Sequence, residues 1–171
     1  MNYANIKRTD VSNGTGIRVS LYVTGCRHHC PDCFNPECWD FHYGRPFDSS
    51  AEDQILLALQ PDYIRGLTLL GGEPLEPENQ PGILALIKKV RQAYPKKDIW
   101  CYTGFVYEAL KGTAAEEILS LVDVLVDGPF VTQLKDLNLR FRGSSNQRII
   151  DLNKTRSSGV LTLWTDEFGG Q

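Results

Sequence analysis

Apolar runs of strand length alternate with helical segments along this chain, and each of the four clearest runs ends on a glycine or one residue short of it. After the turn-forming Asn13-Gly14-Thr15-Gly16, residues 17–24 are rich in β-branched and aromatic side chains and read as a strand ended by Gly25. Asp48-Ser49-Ser50-Ala51-Glu52 offers capping residues for a helix that runs to Gln60, where Pro61 stops it. Residues 66–70 form a second strand, closed by Gly71-Gly72-Glu73-Pro74. Ile83, Leu84, Leu86, Ile87 and Val90 then follow helical spacing as far as Pro95. A third strand over 98–102 ends at Thr103-Gly104, and helical segments cover 106–111 and 115–121. A fourth strand over 122–126 ends at Asp127-Gly128-Pro129, and 149–150 and 160–163 are candidates for two more. The tail Gly169-Gly170-Gln171 reads as frayed.

Strands alternating with helices imply a parallel sheet with right-handed crossovers. A complete eight-unit barrel takes about 250 residues, and this chain has 171. The expected class is therefore α/β, a partial (β/α) barrel with a mostly parallel sheet, built as one domain over 1–171. A net charge of −3 without a concentrated basic stripe argues against a general nucleic-acid binder. No apolar run approaches the ~18–20 residues that span a bilayer, and the first ten residues lack the apolar core of a signal peptide. A cytoplasmic protein with no membrane association is expected.

Five cysteines are present, and Cys26, Cys30, Cys33 and Cys38 fall within thirteen positions, with Cys101 apart. An odd count in a chain without a secretion signal disfavours a disulfide framework, and such a cluster holds metal or does redox work. Pro31 keeps Cys30 out of the helical region, so these thiols belong to a curled loop that can aim several sulfurs at one object. Iron–sulfur clusters take thiolates at spacings this close. Three ligands leave one iron open to a substrate, by the logic that separates open catalytic zinc sites from closed structural ones. Zinc is the rival: Cys30-Pro31-Asp32-Cys33 is a plausible half-site that Cys38, His28, His29 or His42 could complete, although a second cysteine pair is missing. Cys101, alone in a strand beside Trp100, reads as a small buried apolar residue. Trp39, Phe41 and Tyr43 alternate as in a strand or an exposed docking surface.

Cys26-x-x-x-Cys30-x-x-Cys33 resembles the signature of radical S-adenosylmethionine enzymes. Asn13-Gly14-x-Gly16-x-Arg18, Gly71-Gly72-Glu73-Pro74-Leu75, Asp98-Ile99-Trp100-x-Tyr102-Thr103-Gly104, Val124-Leu125-Val126-Asp127-Gly128 and Arg142-Gly143-Ser144-Ser145-Asn146-Gln147 resemble a small branch of that superfamily. That branch is the activating proteins of anaerobic ribonucleoside-triphosphate reductases. The likeness runs from Asn13 to about Leu152. It implies a [4Fe–4S] cluster on Cys26, Cys30 and Cys33, and S-adenosylmethionine bound at the open iron. Reductive cleavage would then give a 5′-deoxyadenosyl radical that makes a glycyl radical on the large reductase subunit, with flavodoxin or a similar donor supplying the electron. Related loops often place an aromatic residue just before the third cysteine. Here Asp32 stands there and Phe34 follows Cys33, so the resemblance implies backbone contact at Asp32 and Cys33 and adenine packing by Phe34. Gly71, Gly72 and Glu73 would meet the methionine part, the glycines by close backbone approach and Glu73 by pairing with a cationic group.

Thr103 and Asp127 end strands, where a carboxylate could orient ribose hydroxyls, hold a cation or cap the following helix. His28 and His29 read as exposed or as supports of the ligands. The stretch 135–156 leans basic and is either a solvated surface or a docking face for an acidic partner. Within it, Arg142 to Gln147 is expected at the surface, away from the cluster, as a turn or a recognition element. A different radical S-adenosylmethionine activase or a deazaguanine-forming synthase would share the cysteine loop and Gly71-Gly72-Glu73. A zinc-stabilised binding module is the alternative from another class.

Overall fold

The computed structural model describes residues 1–165. Its elements are β1 (Asn2–Asp10), β2 (Ile17–Val23), β3 (Arg45–Pro46), α1 (Ser49–Leu59), β4 (Ile64–Gly71), α2 (Gln80–Ala93) and β5 (Asp98–Tyr102), followed by α3 (Tyr107–Leu110), α4 (Ala115–Leu121), β6 (Val124–Asp127), β7 (Arg148–Asp151) and α5 (Leu152–Ser158). One seven-stranded sheet runs in the order β3-β1-β2-β4-β5-β6-β7. Its middle four strands, β2, β4, β5 and β6, are parallel. β1 and β3 on one flank and β7 on the other are antiparallel additions. The protein is therefore α/β with a mixed sheet, parallel at its centre.

Alternation along the strands sorts side chains to two faces. Val19, Leu21, Val23, Leu67, Leu69, Ile99, Cys101 and Leu125 pack with Ile55 and Leu59 of α1, Ile83, Leu86, Ile87 and Val90 of α2 and Ile118 of α4. Those helix positions recur at intervals of three and four, which puts each set on one face. Cys101 is fully buried in this core, and burial pushes its thiol well above the ordinary range. The opposite face carries Trp100, Val124, Val126 and Ile149, packed with Tyr102, Phe141 and Trp164 and, among the described residues, with no helix. Arg18 lies fully buried on that side, where it bonds Thr68 Oγ1 at 2.7 Å and pairs with Asp98 at 2.6 Å. Among the described residues the helical packing thus falls on one side of the sheet, and loops roof the other.

Several expectations are corrected. β1, outside the elements expected from the sequence, carries no regular alternation and forms an irregular flanking strand with register shifts. The fourth strand begins at Val124, because Val122 caps α4 and the Asp123 side chain accepts from Ile99 N at 2.7 Å. Residues 160–163 make a single bridge, Leu163 to Ile150, in place of a strand. Trp39, Phe41 and Tyr43 lie in a 3-10 turn and the bends after it. Trp39 stacks on His29, and Phe41 packs under Arg27. The tail Gly169-Gly170-Gln171 lies outside the described residues. Among those described, no helix is long and apolar enough to cross a membrane.

Candidate functional site

The carboxyl ends of the four parallel strands carry the residues on which the sequence pattern converged. β2 ends in the cysteine loop, β4 in Gly71 and Gly72, β5 in Thr103-Gly104 and β6 in Asp127-Gly128. Between these ends and the roofing loops lies a cavity of about 450 Å³, within the usual range for a small-molecule site. Cys26, Cys30, Cys33, Phe34, Gly71, Gly72 and Glu73 all line it. Asp32 does not. It sits at the turn of the loop with φ +55°, a left-handed conformation shared by His29 at φ +46°. These two reversals curl the loop whose three cysteines all line the cavity.

The loop is fastened at its entry by main-chain hydrogen bonds. Gly25 N donates to Cys38 O at 2.8 Å, Cys26 N to Trp39 O at 3.1 Å and Glu73 N to Gly25 O at 2.9 Å. A Cβ on Gly72 would stand 2.7 Å from Cys38 O and 2.8 Å from Gly25 O. The bare backbone at Gly72 therefore seats the cysteine loop itself, beyond any room it leaves for a ligand. Burial pushes the free Cys26 thiol up to about 11, against backbone N–H groups of His28 and His29 that favour its thiolate. Cys33 Sγ accepts from Asn35 N at 3.4 Å. Cys38 is buried, is pushed up to about 11 by burial, and does not line the cavity.

Glu73 is 1% exposed, and four donors from this chain surround its carboxylate. Thr103 Oγ1 and Leu75 N bond Oε1 at 2.9 Å each. Gly104 N bonds Oε2 at 2.7 Å and His28 Nε2 lies 2.9 Å from the same oxygen. The side chain of this chain that Glu73 faces is His28, whose pKa the carboxylate raises by its hydrogen bond and whose ring packs on Phe105. Asp127, equally buried, holds the first N–H of α3 through Tyr107 N at 2.8 Å and pairs with Arg148, which also reaches Glu108.

The segment from Arg142 to Gln147 is not separate from this site. Arg142, Gly143 and Gln147 line the same cavity, together with Leu139 and Phe141. Gln147 Oε1 accepts from Gly143 N, its Nε2 donates to Gly128 O, and Arg142 Nη1 donates to Gln147 O, so the segment is knitted to the end of β6. Thr132 Oγ1 donates to Pro31 O in the cysteine loop, and Phe130 packs against Phe34. The stretch 135–156 is likewise no single surface element, because Ser144, Ile149, Ile150 and Leu152 are buried within it.

Sequence reading missed Tyr22, Trp39 and Tyr102 as wall residues. The available signal for the two tyrosines was alternation, which places them opposite the core-facing Leu21, Val23 and Cys101. Three wall residues carry buried polar atoms without a partner among the described residues: Tyr102 Oη, Trp39 Nε1 and Arg142 Nε. Buried polar groups ordinarily have a partner, and a polar ligand can supply it. Three cysteines lining one cavity, an N–H directed at a cysteine sulfur and unpaired polar atoms around the cavity together fit a cluster with an organic cofactor beside it. Among the described residues no three His, Cys, Asp or Glu side chains converge as ligands of a single ion.

Similarity to known proteins defines the class first. A family model described as a 4Fe–4S single cluster domain matches residues 12–150, most of the chain. The anaerobic ribonucleoside-triphosphate reductase-activating protein of Escherichia coli (strain K12) is 45% identical over 149 residues, covering 86% of this chain and 96% of that one. Its counterpart in enterobacteria phage T4 is 42% identical over 87% of this chain and 93% of its own, and that of Vibrio cholerae 40% over 87% and 97%. The chain belongs to the family of anaerobic ribonucleoside-triphosphate reductase-activating proteins.

Proposed function

We propose that the protein holds a [4Fe–4S] cluster on Cys26, Cys30 and Cys33, cleaves S-adenosylmethionine reductively, and generates a glycyl radical on an anaerobic ribonucleoside-triphosphate reductase in the cytoplasm. The observation that carries this reading is that the three cysteines of one curled loop all line a cavity ringed by four parallel strand ends. Helices on one face and a ligand cavity on the other fit a partial (β/α) barrel of the radical S-adenosylmethionine type. When bound, the reduced cluster supplies the electron that breaks the carbon–sulfur bond of the sulfonium, and a flavodoxin or similar donor re-supplies it.

The chain's own residues position and shield. Gly71 and Gly72 let the main chain approach the methionine part, and Glu73 holds the surrounding loops in register with its four donors. Asp32 and Cys33 offer backbone groups, and Phe34, braced by Phe130, offers a ring to the adenine at the mouth of the cavity. Arg142, Trp39 and Tyr102 offer donors to oxygen atoms of the bound molecule. The large reductase subunit would present its glycine on the side of the sheet that no helix among the described residues covers.

The test is anaerobic reconstitution followed by iron and sulfide analysis and electron-spin spectroscopy with and without S-adenosylmethionine. Changing Cys26, Cys30 or Cys33 singly to Ala should abolish the cluster, while Cys38→Ala and Cys101→Ala retain it. A wild-type spectrum indifferent to S-adenosylmethionine, or loss of iron in Cys38→Ala alone, would overturn the assignment.

A further inference from the structure

The loop between β4 and α2 repeats one short pattern, Glu73-Pro74-x-Glu76-Pro77-x-Asn79. Proline in the second position of a four-residue turn presets the φ that the turn requires. Both turns close, Glu76 N on Glu73 O at 3.2 Å and Asn79 N on Glu76 O at 2.8 Å. Two turns sharing Glu76 space these residues three apart, and the side chains of Glu73, Glu76 and Asn79 all reach the stretch 24–28. All three are polar and almost wholly buried, at 1%, 3% and 1% exposure. Buried polar groups need partners, and each of these finds one in the cysteine loop or at its entry.

Asn79 Nδ2 donates to Thr24 O at 2.9 Å and to Glu73 O at 3.0 Å, tying the end of β2 to the first turn. Glu76 takes both ends of Arg27: Oε1 accepts from Arg27 N at 2.8 Å and Oε2 from Arg27 Nη1 at 2.6 Å. The guanidinium lies over the Phe41 ring, 4.5 Å from its centroid, and that ring fills the space a Cβ on Gly25 would take. Cys26 is thus flanked by two anchors, Thr24 O and Arg27 N, whose partners both come from this one loop. Asn79 O accepts in turn from Ile83 N at 3.0 Å, so the loop is rooted in α2 and, through Ile83, in the core. Glu76 and Asn79 stand behind the cavity wall and do not line it.

We propose that Glu76 and Asn79 are positioning residues: spaced by the two proline turns and rooted in α2, they fix the main chain on either side of Cys26 before any cluster is present. They act through Thr24 and Arg27 and touch neither the cofactor nor the reacting atoms. The consequence for cluster uptake rests on the reading of Cys26 as a ligand; the preformed loop does not.

Amide hydrogen exchange is measured on the cluster-free chain for wild type, Glu76→Ala, Glu76→Gln and Asn79→Ala, with β4 amides as the control for global stability. The amides that decide are those of Gly25 and Cys26, because their own acceptors, Cys38 O and Trp39 O, are untouched by these substitutions. Glu76→Ala should speed their exchange roughly tenfold and Asn79→Ala roughly fivefold, the losses expected for one hydrogen bond to a charged and to a neutral partner. Glu76→Gln keeps an oxygen that can accept from Arg27 N and should exchange like wild type at both. In a second arm the variants are reconstituted anaerobically. Iron and sulfide uptake should be slower in both alanine variants and normal in Glu76→Gln. Wild-type exchange at Gly25 and Cys26 in either alanine variant overturns the role of that residue. Equal acceleration in β4 overturns the proposal, since it would make the pair general supports of the fold, and so does a Glu76→Gln variant that behaves like Glu76→Ala. Altered exchange with normal uptake overturns the link to the cluster. A wild-type chain that takes up no iron and sulfide overturns the proposed function instead, and leaves the exchange comparison intact.

Discussion

Replacing Gly72 with Ala isolates a steric cost at the junction of β4 and the cysteine loop. Gly72 is not among the positive-φ glycines, so an alanine there meets no backbone strain. The added Cβ would lie 2.7 Å from Cys38 O and 2.8 Å from Gly25 O, and both obstacles are main-chain atoms. Neither oxygen is free to retreat, because Cys38 O accepts from Gly25 N at 2.8 Å and Gly25 O from Glu73 N at 2.9 Å. Relieving the contact means lengthening one or both of these bonds, a cost of about 2 kcal/mol on the scale of overpacked interiors. With a urea slope near 2 kcal/mol/M for a chain of this size, the midpoint should fall by about 1 M. The bonds under strain fasten the cysteine loop, so iron uptake should fall along with stability. Gly112→Ala is the contrast: φ is +71° and nothing lies within 4 Å, so it carries backbone strain without collision. Its cost should stay near 1 kcal/mol, with iron uptake unchanged. Urea unfolding of the cluster-free variants, paired with iron analysis after reconstitution, reads both. A Gly72→Ala protein with wild-type midpoint and full iron would refute the steric reasoning.

Three further outcomes are expected. Arg142→Ala, which strips a donor from the cavity wall and the tie to Gln147 O, should lower 5′-deoxyadenosine release roughly tenfold even without the reductase; release at the wild-type rate would return the segment to a purely structural role. Arg148→Ala leaves the buried Asp127 carboxylate with only Tyr107 N and should cost about 2–3 kcal/mol in urea unfolding. Arg148 holds Glu108 down to about 2 from its ordinary 4.5, so between those values the unfolded chain binds more protons than the folded one. The stabilisation is present above about pH 4.5 and is lost as pH falls toward 2. Glu108 is exposed and the contribution small, and Glu108→Gln should flatten the acid limb of a stability–pH curve slightly.

What could be read from sequence was what local chemistry decides. β5 over Asp98–Tyr102 and α4 over Ala115–Leu121 follow the expected bounds, and α1 starts where Asp48 accepts from Ala51 N. β1 was hidden because a flanking strand need not alternate: Asn5 and Lys7 take their structure from pairing with β2. α5 was hidden because seven residues rich in Asn, Ser and Thr carry no apolar period, although its cap at Asp151 and its left-handed Gly159 are both present. The three cysteines were legible from spacing. The inclusion of Arg142 and Gln147 in the same wall was not, since it depends on where a loop from β6 lands against residues more than a hundred positions earlier. Nor was Glu73 legible as a four-donor hub, because three of its partners lie on the cysteine loop and the β5 end.

The cavity is assembled from the ends of β2, β4, β5 and β6 and roofed by residues as late as Gln147. On a ribosome, where chains emerge amino end first, the thiols of Cys26, Cys30 and Cys33 appear long before the walls that will enclose them. Until β6 and the roofing loop arrive, they are ordinary exposed nucleophiles, open to adventitious zinc, oxidants or one another. Pairing of distant parallel strands is slow compared with local helix formation, which lengthens that interval. If these cysteines hold the proposed cluster, delivering iron and sulfide after release should recover a larger active fraction than a translation mixture already supplied with both.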